Sequence, residues 1–180
     1  MNDMDIQKLE ESIQADLHRY LISCGELEER LPETQDIDDC WPKIGEAYLP
    51  DGIREFAKYP AASLGWMMYV GMAVAKFWDD DWALYCRVDN LYSHLLGKSG
   101  YDLLDEQIRG PILGLRQPEY DSTEALVSEC AQRTHTMLLH ARFEPGTEAA
   151  FRGYVACLHQ LYRMGAAVQL HRMGYRMRKM

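Results

Sequence analysis

Asp81 and Asp89 are the residues whose types and spacing most invite chemistry. They fall in the acidic, aromatic run WDDDWALYCRVDNLYSHLL, residues 78–96, directly after a nearly uncharged run, residues 60–77. At roughly 100° per residue, a helix through this run puts Asp81, Tyr85, Val88, Asp89, Tyr92 and Leu96 on one side. Carboxylates about two turns apart on an aromatic face must be paired, hydrated or ligand-bound, because an isolated buried charge is very costly.

The last helix supplies partners. Its inward face, Phe151, Tyr154, Val155, Leu158, Tyr162 and Gly165, continues to Gln169, Arg172 and Met173. Two arrangements follow. Asp81, Tyr85, Asp89, Tyr92, Gln169 and Arg172 line a ligand-binding pocket between the two helices, or an aspartate closes on Arg172 as a structural bridge, the commoner solution for paired buried charges.

Other chemistries have less behind them. His135 and His140 are five residues apart and share no helix face, His159 and His171 are twelve apart, and neither Glu-x-x-His nor His-Glu-x-x-His occurs. A metal site would have to draw His140, His159 and Asp89 from separate helices, so neither metal nor cofactor is expected. Ser63 lies in SLGW, not in a Gly-x-Ser-x-Gly elbow, and Gly65 and Gly71 follow no strand, so there is no phosphate loop. Cys24, Cys40, Cys86, Cys130 and Cys157 are scattered and include no CxxC pair; free thiols in a reducing cytoplasm are the expectation.

The elements that position these residues read as helices. Ile6, Leu9, Ile13, Leu17, Tyr20, Cys24, Leu27 and Leu31 form one apolar stripe that Pro32 stops, with a near-heptad seam suited to the chain's own core or to a second chain. Short helices are expected at 42–48 and 52–58, and Pro60 suits the first turn of the next. Residues 61–75 carry no charge, but about fifteen residues fall short of the roughly twenty that cross a bilayer, so they predict a buried central helix. Within it Ala62, Gly65, Gly71 and Ala75 would let neighbours approach closely.

Asp79, Asp80 and Asp81 suit the cap of a further helix, to Leu96, which Gly97 and Gly100 end. A short helix at 101–109, a loop at 110–121, a helix from Ser122 to about Arg142 and a last one from the cap Thr147 towards Met177 complete the chain. No strand-like alternation of useful length occurs. The fold expected is all-α, one domain over residues 1–180, with about five principal helices in a bundle.

Charge is uneven: residues 1–55 hold 15 acidic and 5 basic side chains, and residues 151–180 hold 6 basic and none acidic. The two ends are expected to attract each other, within the fold or between subunits. A net charge of -9 works against nucleic acid as a partner. The acidic start MNDMDIQKLE lacks a secretion signal, which adds to the expectation of a cytoplasmic protein. The copies YRMG at 162–165 and HRMG at 171–174 face opposite sides of a helix, whereas Met164, Met173, Met177 and Met180 beside a basic end offer an adaptable contact. With no catalytic motif, the expected function is an interaction module that binds itself or another protein. The alternative is a small-molecule or metal-dependent enzyme working between the helix of Asp81 and Asp89 and the last helix.

Overall fold

The computed structural model describes residues 3–175. Its helices are α1 (Asp3–Ser23), α2 (Gln35–Asp39), α3 (Trp41–Phe56), α4 (Pro60–Tyr85), α5 (Leu91–Leu96), α6 (Leu104–Gln107), α7 (Glu119–His140) and α8 (Glu148–Arg172). A 3-10 turn at Tyr101–Leu103 and a π turn at Ile108–Ile112 flank α6, and no strand occurs among the described residues. The expected all-α bundle is what forms, with α1, α3, α4, α7 and α8 as its long members.

The uncharged run becomes the axis. Pro60 takes the first turn of α4, where its missing amide hydrogen costs nothing, and Met67 to Ala75 are buried all round. The α8 helix runs alongside in the same direction, from the Ser63 and Tyr154 contact to the level of Gly71 and Tyr162. At the crossing, a Cβ on Gly71 would stand 2.1 Å from the Tyr162 carbonyl oxygen, and one on Gly165 2.1 Å from that of Met68. Reciprocal glycines therefore set the interhelical distance. The α7 helix returns antiparallel, with Val127 and Ala131 against Gly65, and α1 lies on the far side of α7 and α8.

Several elements depart from expectation, among them the expected helix at 101–109, which forms as the 3-10 turn, α6 and the π turn. The first helix ends at Ser23, short of Leu31, because Gly25 turns the chain with a φ of 79° and the amide of Glu26 reaches back to the Leu21 carbonyl. Cys24 is consequently exposed, and Leu21 joins Ile13 and Leu17 in the core. The region expected to hold two short helices is one helix, α3, running through Pro50. Burial of Ile44 and Tyr48 before the proline and Gly52 after it outweighs the lost hydrogen bond. Finally α8 ends at Arg172 among the described residues; the stretch expected beyond it, with Arg176, Met177, Arg178, Lys179 and Met180, lies outside them.

The attraction between the charged ends is realised inside the chain. Arg172 grips Glu26 with two bonds of 2.8 and 2.6 Å, Arg163 meets Glu33 at 2.9 Å, and Gln160 reaches Glu10 at 3.3 Å. Arg109, enclosed at the π turn, is satisfied by Asp105, Glu124 and the face of Tyr120. No described helix is long and apolar enough to cross a membrane.

Candidate functional site

The aspartates act first on the backbone. At Asp81 the chain leaves the helix (φ -168°, ψ 81°), and its carboxylate accepts from the Leu84 amide at 3.2 Å, so it caps the last turn of α4. The preceding pair are occupied too: Asp79 accepts from the Tyr175 hydroxyl at 2.7 Å, and Asp80 pairs with Lys76 at 2.6 Å. After Tyr85 the helix stops, and Asn90 caps the separate helix α5 through the Ser93 amide at 3.0 Å. The expected continuous helix to Leu96 is thus two pieces, because side-chain caps competed successfully with helical propagation at Asp81 and Asn90. The single face from Asp81 to Leu96 does not form.

That break builds a cleft of about 300 Å³. One wall is α2 and the start of α3, with Asp36, Asp39, Cys40, Lys43 and Ile44; the other is the α4–α5 junction, with Trp82, Tyr85, Cys86, Val88, Asp89 and Leu91. The wall is stiffened from behind. Tyr85 stacks on Phe77 at 4.1 Å, the indole of Trp78 donates to Asp36 Oδ2 at 3.0 Å, and Gln35 donates to Asp39 Oδ1 at 2.7 Å. Burial, with Asp39 and Asp36 adding repulsion, pushes the Cys40 thiol up to about 11. It stays protonated near neutrality, which works against nucleophile chemistry.

The sequence-predicted residues separate. Tyr85 and Asp89 meet in the cleft, while Asp81 is an exposed cap. Tyr92 turns inward and donates to Asp51 at 2.7 Å. Arg172 is committed to Glu26 and Thr123, and Gln169 is buried on α8, its Oε1 without a hydrogen-bond partner. Asp36 and Asp39, with the rest of the α2–α3 wall and Trp82, are among the cleft residues that sequence reasoning missed. A signal existed for the first two: TQDIDD begins with a capping threonine, and Thr34 does accept from the Ile37 amide at 3.2 Å.

A second polar constellation is closed on itself. Tyr48 donates to the Ser63 carbonyl at 2.5 Å, so Tyr101, 3.1 Å from the same hydroxyl, must donate to Tyr48. Ser63 Oγ donates to the Gly52 carbonyl at 2.8 Å, so Tyr154, at 2.6 Å, must donate to Ser63. Burial holds Tyr48, Tyr101 and Tyr154 well above the usual phenol range. These are structural hydroxyls with every proton assigned.

The histidines are dispersed. His159 stacks on Trp41 at 4.9 Å, His135 lies edge-on to Phe56, and His140 lines a different hollow with Asp5 and Phe143. No group of three potential metal ligands is close enough among the described residues. Compared with known proteins, the chain matches no family, no curated protein and no solved structure.

Proposed function

We propose that the chain is a helical interaction module whose docking surface is the cleft between α2–α3 and the α4–α5 junction. One observation carries this reading: the buried hydroxyls around Ser63 close on one another, whereas Asp36, Asp39 and Asp89 stay on the walls of an open cleft beside Trp82 and Tyr85. Asp89 is exposed and makes no hydrogen bond or ion pair among the described residues, so its carboxylate is accessible to a partner. Cross-linking mass spectrometry from Lys43 on the cleft rim tests it. Links to a partner that vanish when Asp39→Lys and Asp89→Lys reverse the wall charge support the proposal; links unchanged by that reversal sink it.

Self-association is a second reading, favoured by the opposite end of the bundle. Met4 (61%), Leu139 (61%) and Phe151 (43%) are exposed there, around a hollow lined by Leu9, Met137 and Phe143. Burying such side chains in a partner stabilises by about 1.5–3 kcal/mol each, which is enough to matter in a dimer. Of the methionines expected to form a contact, Met164 is instead in the core. Sedimentation velocity across a dilution series reads the outcome: a dimer weakened by Leu139→Glu is expected, and a monomer at every concentration ends this reading.

A further inference from the structure

We infer that the cleft takes the arginine side chains of a basic segment carried by a partner protein. The inference rests on the interaction-module reading above and specifies its occupant. Charge comes first. Asp36, Asp39 and Asp89 face a single ammonium, Lys43, within a chain of net charge -9, so an anion is repelled and a cation is drawn in. The carboxylates stand on both walls, and those of Asp36 and Asp39 each spend one oxygen on a neutral donor, Asp36 on Trp78 of α4 and Asp39 on Gln35 of its own helix. Their orientation is therefore set before anything binds, and a second oxygen remains on each.

The remaining lining selects among cations. A bare divalent ion lacks three ligands close enough together. Trp82 and Tyr85, with Val88 and Leu91, make one side of the cleft apolar and aromatic, and Ile44 adds apolar surface on the other. A guanidinium is planar, weakly hydrated, stacks on aromatic rings and pairs with carboxylates through two parallel bonds; an ammonium is a strongly hydrated point charge. A cleft with carboxylates on both walls and rings on one fits the former. Arg163 pairs with Glu33 and Arg172 with Glu26, and Arg87, between the cleft residues Cys86 and Val88, makes no ion pair with Asp36, Asp39 or Asp89, so these carboxylates remain available to another molecule.

Cys86 makes the test possible on the folded full-length protein, because it is exposed and lines the cleft, while Cys24 is exposed elsewhere and serves as the internal control. Alkylation by iodoacetamide is followed at both thiols by mass spectrometry, with the peptides acetyl-RARAR-amide, acetyl-KAKAK-amide and acetyl-QAQAQ-amide as probes. At a peptide concentration about twice its dissociation constant, the Cys86 rate should fall about threefold with the arginine peptide while the Cys24 rate holds. Added salt should abolish the protection, since the pairing is electrostatic. Asp39→Asn with Asp89→Asn should abolish it too, the protection being read for each protein as the ratio of its own Cys86 rates without and with peptide, because removing carboxylates beside a thiol changes its basal rate.

Equal protection by the lysine peptide overturns the guanidinium assignment. Equal protection by the glutamine peptide overturns the basic occupant but leaves a docking cleft standing. Protection by none of the three removes both the occupant and the docking reading of this cleft. If a chain ending at Tyr175 alkylates faster at Cys86 than the full chain, residues 176–180 are the occupant and the partner segment is refuted.

Discussion

Residues 60–77 and the stretch from Trp78 to Leu91 follow one another in the chain, yet they treat polar groups in opposite ways. In the first, the one serine is fully partnered: Ser63 takes Tyr154 and Gly52 with its side chain and Tyr48 with its carbonyl. In the second, Asp81 is spent on a backbone cap, but Asp89 stands on the wall of a cleft with Asp36 and Asp39 across from it. A buried polar group without a partner costs about 1–3 kcal/mol, which is why the hydroxyls around Ser63 are closed on one another. A carboxylate in contact with water costs little, so the cleft can stay open for a ligand. The comparison separates what holds the fold from what is available for function, and substitutions can break it at graded cost.

The largest effect belongs to the crossing itself. Gly165→Ala puts a methyl group 2.1 Å from the Met68 carbonyl oxygen, against backbone that cannot rotate away. The α4 and α8 axes must separate, and the expected loss is at least about 3 kcal/mol, read as a lowered urea midpoint or a failure to fold. A midpoint near that of the wild type would mean that the helices can part without cost.

Next is the hydroxyl network. Ser63→Ala removes the acceptor that Tyr154 uses and the donor to Gly52, while changing the volume hardly at all. Leaving a buried phenol unpaired should cost about 2 kcal/mol in urea unfolding. Stability unchanged by this substitution would remove the distinction between a closed interior and an open cleft.

Much of the closed region was legible in the sequence. The uncharged run, Pro60 as a helix opener, the small residues at Gly65 and Gly71 and the cap at Thr147 all do what local rules predict, because periodicity and capping act within a few residues. Asp81 as a cap was equally readable. What could not be read is which distant groups meet. Arg172 was expected to seek Asp81 or Asp89, but Glu26, 146 residues away in sequence, holds it. Nothing local in Glu26 marks it as that partner. Likewise the cleft exists only because α3 folds back along α4 and brings Asp36 beside Trp78, 42 residues apart. Tyr85 and Asp89 could be nominated from helical spacing; the opposite wall could not.

A third kind of polar group is His159, stacked on Trp41, the chain neighbour of the cleft residue Cys40. Burial, with Arg163 adding repulsion, lowers its pKa from 6.5 to about 4. The unfolded chain therefore takes up a proton that the folded one refuses, and stability is fully present above about pH 6.5 and declines as pH falls towards 4. After discounting for the part of the ring left to solvent, the loss between pH 7 and pH 5 should be about 1–2 kcal/mol. His159→Phe keeps the stacking and removes the titration, so the variant's urea midpoint should fall less over that interval. Equal slopes in the two proteins would place the ring in water.

The smallest effect is the most informative for function. Asp89→Asn keeps size and shape, removes one charge from the cleft wall, and breaks no hydrogen bond or ion pair among the described residues. Its effect on stability should lie within about 0.5 kcal/mol of zero, as for an exposed side chain without structural duty. It should sit on the stabilising side, because it relieves repulsion among the carboxylates gathered with Asp36 and Asp39. That result would leave the Asp89 carboxylate without a structural role, in keeping with the docking use proposed for it. If Asp89→Asn instead costs as much as Ser63→Ala, Asp89 belongs with the closed network, and the open cleft loses the group that most distinguishes it.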